Sequence, residues 1–111
     1  MNDQNANADI HLVQLLIPLR DNRGSPFPAS HYVALRDELT TRFGGVTAYT
    51  RAPAEGTWDA HGQSRDTDDI VIYEVMVDRL DRDWWASFRR GLESRFEQDE
   101  LVIRAQAIER L

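Results

Sequence analysis

The chain contains no cysteine, and that absence alone excludes disulfides, thiolate nucleophiles and cysteine-based zinc or iron–sulfur sites. It fits a reducing compartment without identifying one. Positive charge is also short. Among 111 residues the formal balance is -6, with charges of both signs spread along the chain, which argues against nucleic acid or an anionic membrane surface as the main partner. No apolar stretch approaches the roughly 20 residues of a membrane span, and the start, residues 1–9, has neither a basic n-region nor an apolar h-region. The expectation is a cytoplasmic protein free of the membrane, with a disordered tail over 1–9 and one domain over 10–111. Two catalytic signatures are missing as well: no Gly-x-x-x-x-Gly-Lys-[Ser/Thr] loop and no Gly-x-Ser-x-Gly elbow occur.

What is present falls into six segments. Ile10 to Leu19 is rich in Leu, Ile and Val, is short for a helix, and stops near Pro18 before the turn-like Asp21-Asn22-Arg23-Gly24-Ser25-Pro26. Between Pro28 and Phe43, Tyr32, Leu35, Leu39 and Phe43 recur at helical spacing, and Gly44-Gly45 supplies the stop. Val46 to Arg51 reads as a second strand, broken by Pro53 and Gly56. Asp69 to Val77 is a β-branched run with Glu74 as its one charged interior residue. Asp81 or Asp83 can cap a second helix striped by Trp85, Phe88, Leu92 and Phe96, and Leu101 to Ile108 closes the chain as a strand.

Strand, helix, strand, strand, helix, strand is the split βαβ order of the ferredoxin-like α+β class. Right-handed crossovers then give a four-stranded antiparallel sheet of order 4-1-3-2 with both helices on one face. Alternation assigns Val13, Leu15, Ile17, Val71, Tyr73, Val75, Val77, Leu101, Ile103 and Ala105 to the helix side. Opposite parity carries Leu12, Gln14 and Leu16; Ile70, Ile72, Glu74 and Met76; and Val102, Arg104, Gln106 and Ile108. A solvated sheet face should be polar, and this one is largely aliphatic.

Two copies packed through such faces would bury an apolar patch and enclose the polar residues at its centre. On this pattern the chain resembles the dimeric α/β-barrel superfamily, in which two ferredoxin-like subunits close a shared barrel around a small organic molecule or haem. A narrower likeness is to small bacterial ferredoxin-like proteins with a Gly-x-Trp hairpin before the third strand, here Gly56-Thr57-Trp58. It brings no activity with it. The candidate ligand-binding residues are Gln14, Glu74, Arg104, Tyr49, Met76 and Trp58, with Glu74 the best candidate for a catalytic group.

Glu74, Arg104 and Gln14 fall on three neighbouring strands, so a carboxylate held by a guanidinium and an amide is expected there. Such a set either binds a ligand or adjusts a base, or it is a cross-strand salt bridge that fixes dimer register. The connection from Ala52 to Asp68 exceeds the roughly 2–5 residues of an ordinary hairpin loop, and its Trp58 should cover a partner subunit or a ligand. His61 with Asp59, Asp66, Asp68 and Asp69 matches no metal motif, so no metal is expected. His31 and His11 lack a haem-site constellation, so no cofactor is expected either. Trp84, beside Trp85, reads as a flank residue suited to a domain or subunit contact.

Three functions compete on these grounds. One is a homodimer binding a small, partly apolar organic molecule at the second sheet face. Another is a cofactor-independent monooxygenase or isomerase of the barrel type, with Glu74 as base. The last is a non-catalytic regulatory or interaction domain with its ligand at the loop after strand one, near Asn22 and Gly24. An RNA-recognition module needs aromatic residues on the open face, which here offers Gln14, Glu74 and aliphatics.

Overall fold

A computed structural model of the chain describes residues 10–50 and 70–111. The elements run β1 (His11–Pro18), α1 (Ala29–Phe43), β2 (Thr47–Thr50), β3 (Ile70–Val77), α2 (Arg82–Arg95) and β4 (Val102–Ala107). All strand pairs are antiparallel and the sheet order is β2-β3-β1-β4, the expected order read from the other edge. The architecture is therefore α+β, with the two most apolar strands at its centre. The expected tail over 1–9 and the Gly56-Thr57-Trp58 hairpin lie outside the described residues, as do Arg51 and the acidic cluster around His61.

The helix side of the sheet is the core. Val13, Leu15 and Ile17 of β1 and Val71, Tyr73, Val75 and Val77 of β3 pack with Leu35 and Leu39 of α1 and with Trp85 and Leu92 of α2, joined by Phe96 and Leu101. Helix spacing explains the choice: residues three and four apart share a face, so Tyr32, Leu35, Leu39 and Phe43 all turn inward. Arg95 of α2 donates to Glu38 of α1 at 2.8 Å and fixes the two helices side by side.

Helix ends follow local chemistry. The Asp81 side chain accepts the Trp84 N–H at 3.1 Å and caps α2, which settles the choice between Asp81 and Asp83. Gly44 stops α1 in the left-handed region at φ 86°, its N–H donating to the Thr40 carbonyl at 2.8 Å. At the end of α2 no glycine is present, and Glu97 adopts φ 51° instead.

One core assignment needs correction. Ala105 is exposed and Ile103 only half-buried, because α2 makes little contact with the edge strand β4. A depression of about 210 Å³ opens there, floored by Val13, Trp85 and Ile103 and edged by Arg82 and Arg89. The stripe parity holds, but the helix does not reach the edge. No helix among the described residues is long and apolar enough to cross a membrane.

Candidate functional site

Every strand contributes a polar side chain to the open face of the sheet, and register brings four of them, one per strand, into a row. Gln14 lies directly opposite Glu74 across β1–β3 and directly opposite Arg104 across β1–β4. Tyr49 faces Ile72, two residues from Glu74, a diagonal that a long aromatic side chain spans. The Arg104 Nε donates to Gln14 Oε1 at 2.9 Å, the Gln14 Nε2 donates to Glu74 Oε2 at 2.6 Å, and the Tyr49 hydroxyl donates to the same carboxylate oxygen at 2.7 Å. The amide is thereby fixed in one sense, oxygen toward the guanidinium and nitrogen toward the carboxylate.

This arrangement revises the expected one. Glu74 is half-buried and held by an amide and a phenol, while the guanidinium reaches it only through Gln14. No ion pair joins Glu74 to Arg104 among the described residues, so the register-fixing salt bridge is absent there. The phenol of Tyr49 has its pKa raised, first by donating its proton to Glu74, then by loss of hydration and by the Glu74 charge; Gln14 and Arg104 oppose the shift.

Aliphatic side chains flank the row. Met76 is 50% exposed and Val102 49%, and Tyr49 is 41% exposed, whereas Ile72, between Leu16 on β1 and Tyr49 on β2, is only 4% exposed although it lies outside the core cluster. A second depression of about 210 Å³ lies at the Arg104 end, lined by Leu12, Gln14, Arg104, Ala105 and Gln106. Gln106 was not anticipated as a site residue, although its parity puts it on this face two positions from Arg104. Trp58 lies outside the described residues.

The remaining candidates are engaged elsewhere. Trp84 stacks on Phe88 with centroids 4.7 Å apart and is covered by the Arg42 guanidinium at 4.1 Å. Contacts within the fold thus occupy its ring faces. His31 stacks on Phe27 and meets the Phe96 ring edge-on, so it serves as a packing residue at the start of α1. The loop after β1 closes on itself. Asp21 accepts the N–H groups of Arg23 and Ser25 at 2.8 Å each, which holds its pKa below the ordinary carboxylate value, and Gly24 turns at φ 88°.

Comparison of the chain with protein-family models, with curated proteins and with solved structures gives no match.

Proposed function

We propose that the open sheet face is the working surface, that a second copy of the chain covers it, and that a small organic ligand sits over the row of Tyr49, Glu74, Gln14 and Arg104. The carrying observation is the composition of that face: large aliphatic side chains left half in water around a row of four mutually bonded polar groups. Bonded one to the next, the four side chains keep a fixed geometry when covered, and only the two ends of the row are left to meet what covers them. The ferredoxin-like arrangement with a dimeric barrel is the assembly this reading calls for. A two-fold contact would bring each patch onto its own copy. The absence of cysteine agrees with a cytoplasmic setting.

Sedimentation or light scattering coupled to gel filtration tests the reading. A dimer is expected at micromolar concentration, and Met76→Glu, which sets a charge in the apolar patch, is expected to give a folded monomer. A wild-type protein that stays monomeric at high concentration would remove the enclosed site.

The Tyr49–Glu74 bond favours a second reading, catalysis without a cofactor. A carboxylate that accepts from a phenol can take a proton from an activated substrate while the phenol steadies the charge. The chain has neither lysine nor cysteine, so neither a lysine Schiff base nor a cysteine nucleophile is open to it. Proton transfer is the chemistry left to the row.

A further inference from the structure

The polar row is directional, and its two ends differ. At one end Arg104 uses only its Nε, on Gln14, and its two Nη groups make no hydrogen bond or ion pair among the described residues. At the other end Glu74 receives two donors on Oε2, while Oε1 accepts no hydrogen bond among the described residues. Strands β3 and β4 are separated by β1, so the backbones that carry Glu74 and Arg104 stand about 10 Å apart, two strand spacings. The depression beside Arg104 supplies room, and Leu12, Leu16 and Met76 offer apolar walls along the way.

Resting on the proposed enclosed face, we infer that its ligand is a small bipolar anion, an aromatic hydroxy acid in chemical class. Its carboxylate would take the two Nη groups of Arg104, its ring would lie across Gln14 against the aliphatic walls, and its hydroxyl would donate to Glu74 Oε1 beside Tyr49. Charge complementarity selects the orientation. A guanidinium fork matches a carboxylate with two parallel hydrogen bonds, whereas the carboxylate end of the row repels a second anion and favours a donor. The amide between them transmits the polarity: turning Gln14 over would set its oxygen against Glu74 and its nitrogen against Arg104, two repulsive contacts in place of two hydrogen bonds.

The probe is 4-hydroxyphenylacetate, compared with its methyl ester and with phenylacetate. Binding is followed by amide chemical shifts of the whole chain, while gel filtration with light scattering reports subunit number separately. We expect the acid to bind at least tenfold more tightly than its ester, and Arg104→Gln to erase that preference with the dimer intact. Phenylacetate should bind more weakly than the hydroxy acid in wild type but not in Glu74→Gln. Arg104 and Glu74 are not core residues, and the same spectra show whether each variant is folded. Equal binding of acid and ester, an acid preference that survives Arg104→Gln, or no binding of any probe to a proven dimer would overturn the ligand class while leaving the dimer standing. Loss of the dimer in Arg104→Gln would instead assign the guanidinium to the subunit contact and overturn the inference.

Discussion

The three tyrosines of the chain carry one shared consequence of residue chemistry. Burial pushes the Tyr32 phenol up to about 12, with Tyr73 adding to it; burial raises Tyr73 itself; and donation to Glu74 raises Tyr49. Each neutral phenol is favoured in the folded state. Its contribution is therefore present in full below pH 10.0, the ordinary value, and disappears as pH climbs through the folded value, for Tyr32 between 10.0 and about 12. Absorbance at 295 nm should stay low in the native protein at a pH where the unfolded chain is already half ionised. The difference between wild type and Tyr49→Phe isolates Tyr49, and a midpoint for it at or below the ordinary value would contradict the bond to Glu74. Tyr32 also donates to the Pro18 carbonyl at 2.8 Å, at the last residue of β1. Tyr32→Phe should cost about 0.5–1.5 kcal/mol in urea unfolding at neutral pH.

At the scale of elements, the end of α2 shows a defect that sequence pattern could not disclose. Gln98 N–H bonds the Glu93 carbonyl at 2.8 Å and Glu97 N–H bonds the Ser94 carbonyl at 3.2 Å, the two bonds of a Schellman stop, with Glu97 at φ 51° where glycine is favoured. Glu97→Gly should therefore stabilise the fold by about 0.5–1 kcal/mol, read from denaturant midpoints; a lower midpoint would show that the Glu97 side chain has a role of its own. The elements themselves were legible. A short Leu-, Ile- and Val-rich segment marked β1, a β-branched run marked β3, and Trp85, Phe88, Leu92 and Phe96 marked α2. The open face was legible too, because parity alone puts Gln14, Glu74 and Arg104 on one side. Atom-to-atom contacts were not. Parity gives a face but not a rotamer, so it could not show that the amide of Gln14 stands between the charges. Nor could it fix the register of β2, entered through two glycines, that sets Tyr49 diagonal to Glu74. The exposed Ala105 escaped for a related reason: alternation says which way a residue points, not how far a helix extends over it.

For the whole molecule, the decisive contrast lies between two adjacent leucines of β1. Leu15 is fully buried among both helices, whereas Leu16 points to the open face beside Ile72 and is half-buried. Leu15→Ala leaves a cavity in the only core that unites sheet and helices among the described residues, so it should cost about 2–5 kcal/mol whatever the protein concentration. Leu16→Ala behaves differently if a second copy covers it. In a dimer the stability of the folded state includes association and grows with concentration, so the dissociation constant of Leu16→Ala should rise and its deficit should widen as the concentration is raised through the dissociation constant of the wild type. In a monomer the deficit would be small and constant. Chemical unfolding of both variants at concentrations a hundredfold apart separates the two cases, with Leu15→Ala as the internal control for a site that association does not reach. A small Leu16→Ala deficit together with a wild-type stability that ignores concentration would mean the aliphatic face meets water and not its own copy, and the row of Tyr49, Glu74, Gln14 and Arg104 would then be an open surface feature.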